Sequence, residues 1–286
     1  MILAVGFFDG VHLGHQKILT GADVALTFRN HPLTVLAPAR APRLLMASDE
    51  KAAAIRACGV REVVTLDFTP ELAALEPEAF VEQYLNSPDL AVRCGANWKF
   101  GARGRGDADF LRARGVAVEI MPYAEYDGAR VSSTRIRQAF AAGEIEAGNA
   151  MLGRALTLGG KIVKGKGLGS QLGFPTVNIA VTSTVELPLG VYAVEAHGWR
   201  GVANYGYAPT LGARAWERPM LEVHWIGQAQ LDPHGLQPDP HGLPLDPLHG
   251  QPAQVELVRF LRPERRFETV DDLKAQIARD CEEANK

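Results

Sequence analysis

The chain is poor in cysteine: Cys58, Cys94 and Cys281 are the only three in 286 residues, and they lie far apart. No Cys-x-x-Cys occurs, so a dithiol redox centre or a zinc ribbon is not expected. The three read as reduced thiols packed in a cytoplasmic protein. An excess of one charge is also missing. Residues 1–150 carry 16 Lys+Arg against 18 Asp+Glu, and the remainder carries 14 against 15. Neither half sets up a basic field, which argues against nucleic acid as a partner. No apolar run reaches membrane-spanning length, and the opening Met-Ile-Leu-Ala-Val is shorter than the apolar region of a signal peptide. Neither a membrane span nor export is expected.

What is present is texture of two kinds. The length suits two domains of ordinary size, here taken as 1–150 and 151–286. In the first, short apolar runs alternate with helical segments. Ile2–Val5, Val24–Phe28, Val63–Leu66, Val92–Cys94 and Val118–Met121 read as strands of a parallel sheet. Helices are expected after His12, over Leu44–Gly59 with entry through Ser48-Asp49-Glu50, over Pro77–Leu85, and behind Ser132-Ser133-Thr134, a strong cap. Residues 143–152 form a helical linker. From Leu156 the pattern changes to short alternating strands with turns, the signature of a small antiparallel barrel.

Two stretches carry chemistry. The first strand runs at once into Gly6-Phe7-Phe8-Asp9-Gly10-Val11-His12-Leu13-Gly14-His15-Gln16. A strand, a glycine turn and a helix start bring backbone donors against phosphate. His12 and His15 lie three apart and share a face of a helical turn, where two imidazoles can donate hydrogen bonds to phosphoryl oxygens as pyrophosphate leaves. A His-x-x-His alone fits a pair of surface histidines better, and it is the whole string that reverses this.

The second stretch is Gly165-Lys166-Gly167-Leu168-Gly169-Ser170-Gln171-Leu172-Gly173-Phe174-Pro175-Thr176-Val177-Asn178. Glycines at 165, 167 and 169 let amides turn toward a polyphosphate, although by themselves they also fit a plain surface loop. Extended backbone behind Pro175 puts Thr176 and Asn178 on one side, and a hydroxyl and an amide carbonyl are hard oxygen ligands suited to Mg²⁺ carried by a nucleotide. Leu221-Glu222-Val223-His224-Trp225 alternates, so Glu222 and His224 share a face. A carboxylate at the open end of a barrel can take the proton of an attacking hydroxyl, and an outward-facing strand carboxylate is the alternative. His224 reads as an exposed strand residue.

Both stretches resemble the signatures of bacterial bifunctional riboflavin kinase/FMN adenylyltransferases, the FAD synthetases. Further strings agree: Gly95–Asp107, Arg130–Arg137, Gly190–Ala193, Asn204–Gly206 with Pro209-Thr210, and Leu261–Phe267. The resemblance implies an α/β nucleotidyltransferase domain, Rossmann-like and of the His-x-Gly-His type, followed by a β-barrel riboflavin kinase domain. It implies two activities, phosphorylation of riboflavin to FMN and adenylylation of FMN to FAD, with ATP, flavins and Mg²⁺. Glu222 takes the part of catalytic base, with Thr176 and Asn178 as metal and phosphate ligands. His12, His15, Gly6, Phe8, Gly14, Asn97, Arg130, Ser133, Thr134 and Arg135 take nucleotide and phosphate contacts. Small molecules are then the partners of a monomer or weakly self-associating protein.

Three departures from the family pattern stand out. The first crossover is short, and Arg29-Asn30 stand where Asp-Pro is usual. Between 231 and 250, Asp-Pro-His-Gly recurs at a spacing of seven, which reads as an extended insertion. Two rivals remain at this level: a riboflavin kinase whose adenylyltransferase half is inactive or weakened, and a flavin-binding regulatory protein without catalysis.

Overall fold

The structure is a computed structural model that describes residues 1–87, 89–165, 167–207, 219–227 and 249–286. Most of the 231–250 repeat, and the Pro209-Thr210 string, lie outside the described residues. The chain forms two compact units: Met1–Ile136 with Met151–Gly153, and Arg137–Ala150 with Arg154–Lys286.

The first unit is built on β1 (Ile2–Val5), β2 (Val24–Phe28), β3 (Glu62–Leu66), β4 (Ala91–Gly95) and β5 (Ala117–Met121). They pair in parallel in the order β3-β2-β1-β4-β5. The chain therefore runs outward from β1 to β3, then crosses back to lay β4 on the other side. That reversal puts a topological switch point at the carboxyl ends of β1 and β4, the place where ligands bind in sheets of this kind. Strand alternation divides the packing. Leu3 and Val5 join Leu26, Val92, Phe80 and Phe100 in one cluster. Ala4 joins Phe8, Ile18, Leu19, Ala25 and Ile55 in another.

The helices are α1 (Leu13–Leu19), α2 (Leu33–Leu36), α3 (Ser48–Ala57), α4 (Pro70–Ala74), α5 (Pro77–Tyr84) and α6 (Ala108–Arg112). The short first crossover is real: α1 has seven residues, and Thr20 closes it with N–H and hydroxyl both donating to Gln16 O at 2.8 Å. Gly21 then turns the chain at φ +78° into β2. The hairpin β6 (Glu125–Tyr126) and β7 (Ala129–Arg130) precedes α7 (Ser133–Ala141), whose amide at Arg135 donates to Ser132 Oγ at 3.2 Å. The cap read from sequence is therefore Ser132. The hairpin, α2 and α4 carry no strong sequence signal and were not anticipated.

The second unit contains α8 (Ile145–Leu152), β8 (Leu156–Val163), α9 (Leu168–Leu172), β9 (Val177–Val181), β10 (Gly190–Ala196), β11 (Trp199–Gly206), β12 (Met220–Trp225), β13 (Pro252–Pro263) and α10 (Val270–Ala284). Its strands close an antiparallel barrel in the order β10-β11-β12-β9-β8-β13. Ile179, Leu221 and Tyr205 form one buried row, and Val177, Val223 and Ala203 form another. Between those rows the register aligns Val163, Asn178, Glu222, Asn204, Val191 and Arg262, one from each strand, on the opposite face. α10 packs along β10, β11 and β13, and Thr269 Oγ1 accepts from Asp272 N at its start, 3.1 Å away. The glycine stretch is not wholly open loop, since Leu168–Leu172 is a short helix between left-handed Gly167 and Gly173.

All three cysteines are free, with Cys94 buried and the other two half-buried. Burial raises the thiols of Cys94 and Cys281 to about 11, so both stay protonated and inert near neutrality.

Candidate active sites

In the first unit the site grows out of a strained turn. Phe8 (φ 55°) and Val11 (φ 41°) are left-handed without being glycine, a conformation that persists only when its surroundings enforce it. Here both side chains are buried, Asp9 Oδ1 accepts from Leu45 N at 2.9 Å, and Gln16 Nε2 donates to Val11 O at 3.0 Å. Gly6 lies under the Phe8 ring, which a Cβ would meet at 2.8 Å.

That turn delivers His12 as the N-cap of α1, its Nδ1 accepting from His15 N at 3.3 Å. The two imidazoles stack at 3.6 Å between centroids and 17° between planes. A Cβ at Gly14 would press to 3.2 Å on the His12 ring, which explains a glycine between the histidines. His15 Nδ1 is buried without a hydrogen-bond partner among the described residues. Desolvation, then the charges of His12, Lys51 and Arg130, hold the His15 pKa well below its usual 6.5. Its ring is therefore neutral at physiological pH.

The other residues singled out in this half come from β4 and the α7 corner. Asn97, just past β4, accepts from Arg130 Nη2 at 3.3 Å, and Arg130 lies over the Tyr123 ring at 3.7 Å. Ser133 Oγ donates to Asp9 O at 2.9 Å, tying the α7 corner to the first turn. Thr134 is exposed. Arg135 is used within the fold, donating to Tyr126 O and Ala129 O at 2.7 and 2.8 Å and so holding the β6–β7 hairpin. Arg29 and Asn30 are spent likewise. Arg29 pairs with Asp67, while Asn30 exchanges hydrogen bonds with Phe68 N and O.

Sequence reasoning passed over Lys51, treated only as part of a helix. It is 2% exposed, donates to Phe28 O at 2.6 Å and lies 4.0 Å over the Phe7 ring. Burial lowers its pKa to about 8, with Asp9 pulling the other way. A lysine at an apolar helical position was the available signal.

In the second unit Thr176 Oγ1 donates to Glu222 Oε1 at 2.9 Å. Glu222 and Asn178 are directly opposed across β12 and β9. A Cβ at Gly165 would meet the end of the Asn178 side chain at 2.1 Å and push it aside, and Gly169 is needed because one there would meet Phe174 O at 2.4 Å and Thr176 Oγ1 at 2.9 Å. A Cβ at Gly167 would meet nothing within 4 Å, so the glycine there serves its left-handed φ of +69°. Of these residues Gly169, Thr176 and Glu222 line a cavity of about 750 Å³. Leu168, Phe174, Val202, Phe267, Leu273 and Ile277 give it an apolar wall, and Glu222, Asn204 and Glu264 a polar one. The glutamate thus stands on the outer wall of the barrel, where α9 and α10 enclose it, and not at the barrel's open end. His224 is half-buried and also lines the cavity, contrary to its expected exposure, with Nδ1 2.9 Å from Pro175 O. A depression of similar size at the amino ends of β4 and β5, beside Glu78 and Arg114, holds none of the residues singled out.

A doubly wound sheet with a stacked histidine pair at its switch point, followed in the chain by a barrel pairing Thr-x-Asn with a glutamate, defines a two-unit phosphoryl-type transferase. Residues 1–135 match the family model described as FAD synthetase, and 152–286 the one described as riboflavin kinase. A bifunctional riboflavin kinase/FMN adenylyltransferase of Escherichia coli K12 is 34% identical over 303 residues, spanning 98% of this chain and 90% of its own. Its Bacillus subtilis counterpart is 29% identical, spanning 99% and 91%. The chain belongs to this family of bifunctional enzymes. A crystal structure titled macrolide-efflux protein from Streptococcus pneumoniae superposes with TM-score 0.84 at 26% identity, covering 100% of this chain and 93% of that one. No helix among the described residues is long and apolar enough to cross a membrane.

Proposed function

We propose that the second unit transfers the γ-phosphoryl group of ATP to the 5′-hydroxyl of riboflavin, and that the first unit joins the resulting FMN to AMP from a second ATP. The hydrogen-bonded pair of Thr176 and Glu222 on the cavity wall is the observation that supports this most strongly. Glu222 accepts the hydroxyl proton as the new O–P bond forms and the bond to the ADP oxygen breaks. The apolar wall suits a flat flavin ring, and the polar row suits its polyol chain.

Thr176 and Asn178 offer hard oxygen donors of a kind that fits Mg²⁺. No group of three His, Cys, Asp or Glu able to hold a metal occurs among the described residues, so most ligands would come from the nucleotide phosphates. When bound, the ion neutralises charge on the transferring phosphoryl group.

In the first unit an FMN phosphate oxygen attacks the α-phosphorus of ATP, and pyrophosphate departs with its bonding pair. His12 and His15 donate hydrogen bonds to that developing charge, with Arg130, Ser133 and Thr134 adding donors, and no covalent enzyme intermediate is needed. Gly6, Phe8, Gly14 and Asn97 shape the nucleotide side, and Gly165, Gly167 and Gly169 shape the kinase loop. Arg135 contributes by holding its hairpin. The division of labour is 1–150 for adenylylation and 151–286 for phosphorylation. The enzyme works in the cytoplasm on small molecules, as a monomer or weakly self-associating.

Incubation with riboflavin, ATP and Mg²⁺ should yield FAD and pyrophosphate. Product that stops at FMN would remove the adenylyl step. Flavin binding without ATP turnover would remove both.

A further inference from the structure

Beyond the ring of Phe267, Leu261–Phe267 has no part in the chemistry described so far, yet Arg262, Glu264, Arg265 and Arg266 also line the cavity. Arg262 binds Asp280 with two parallel contacts, Nε to Oδ1 at 2.9 Å and Nη2 to Oδ2 at 2.7 Å, and Asp280 is 3% exposed. That pair fastens the end of β13 to α10. Two residues on, Glu264 Oε1 accepts from Asn204 Nδ2 at 3.0 Å. The carboxylate also sits over Gly206, where a Cβ would lie 2.2 Å from Glu264 Oε1, so a larger residue there would push the Glu264 carboxylate aside.

The contact has a chemical consequence. A carboxylate accepts hydrogen bonds and does not donate them, so the Asn204 atom facing it must be the nitrogen. The amide is then fixed in one of its two orientations, with Oδ1 directed away from Glu264. Asn204 lies in the transverse row directly opposite Glu222, with side chains on the same face about 5 Å apart. Both line the same cavity.

We propose that Glu264 is a positioning residue that locks the Asn204 amide with its oxygen available to the substrate. Asn204 Oδ1 then accepts from the flavin's 4′-hydroxyl, the donor one carbon away from the hydroxyl that Glu222 deprotonates. This rests on the kinase reading of the cavity. It makes Asn204 a specificity-determining residue for a polyol carrying vicinal hydroxyls. A chain lacking the second hydroxyl leaves the amide oxygen unpaired.

The test compares riboflavin with 4′-deoxyriboflavin as phosphoryl acceptors in wild type, N204A, E264Q and the double variant. Wild type should lose about tenfold in kcat/KM on the deoxy flavin, the cost of one hydrogen bond with an acceptor left unmet. N204A should treat the two flavins alike. E264Q, which offers either end of an amide to Asn204, should raise KM for riboflavin, narrow the preference and leave kcat within a few-fold. The double variant should be no worse than N204A, because the two residues act through one contact. Equal use of both flavins by wild type overturns the proposal and needs no variant. So does an E264Q enzyme with unchanged KM and preference. Wild type forming no FMN from riboflavin would instead defeat the kinase reading itself.

Discussion

Thr176 Oγ1 donates a hydrogen bond of 2.9 Å to Glu222 Oε1 across 46 residues of sequence. The contact follows from register, because β9 and β12 pair Asn178 with Glu222 and so set Thr176 beside the carboxylate. Replacing the base by its neutral isostere, E222Q, should lower riboflavin phosphorylation by roughly 10²–10⁴-fold, the range for a lost general base. Steady-state FMN formation checks this. A change under threefold would mean the hydroxyl proton goes elsewhere.

Gly169 tests the same pair from behind. The Cβ of G169A would lie 2.4 Å from Phe174 O and 2.9 Å from Thr176 Oγ1, so the Phe174–Thr176 segment has to move. Displacement of this kind costs on the order of a hundredfold in rate. Riboflavin phosphorylation should fall by that amount, while FAD formation from supplied FMN stays at the wild-type rate.

His15 gives a pH signature. Its folded-state pKa lies well below 6.5 through burial first, then neighbouring positive charge. A depressed value means stability that is fully present above pH 6.5 and is lost as pH falls toward the folded-state pKa, where only the unfolded chain gains the proton. Thermal melts from pH 7 to 5 should fall more steeply for wild type than for H15Q. Parallel curves would contradict the neutral, buried imidazole.

Lys51 titrates with the same sign in a higher window. Between about 8 and 10.5 the folded protein sheds the Lys51 proton while the unfolded chain keeps it, so stability should rise with pH there. Denaturant midpoints of wild type minus those of K51M, measured from pH 7.5 to 10, should show that gain. A flat difference would show the ammonium to be solvated.

The Arg262–Asp280 pair is nearly out of water, with side chains 18% and 5% exposed. D280A strands the guanidinium, at a cost of about 3–5 kcal/mol. The urea transition of the second unit should shift accordingly. An unmoved midpoint would mean that Arg262 finds water.

Much of this was legible in the residues because the signals are local. Ile2–Val5 and Val24–Phe28 read as buried strands and are β1 and β2, and the Ser-Ser-Thr string ahead of Arg-Ile-Arg does hold the cap of α7, at Ser132. His12 and His15 do share a face, in the tight form that a glycine between them permits. What stayed hidden depends on partners distant in sequence. Lys51 looks like any helix lysine until Phe7 and Phe28 close over it. His224 alternates with core residues as a solvent-facing side chain would, and only the Phe174-Pro175 segment folding back makes it part of the wall. The six-strand row through Asn178, Glu222 and Asn204 is a property of register, which alternation alone leaves open by two-residue steps.

The sharpest test separates the two sites in one protein. E222Q given riboflavin, ATP and Mg²⁺ should release neither FMN nor FAD, yet given FMN it should make FAD at the wild-type rate. The pair H12A/H15A should do the reverse and accumulate FMN from riboflavin. No FAD from supplied FMN in E222Q, no FMN from riboflavin in H12A/H15A, or FAD appearing from riboflavin in E222Q would each contradict two independent centres in these two units.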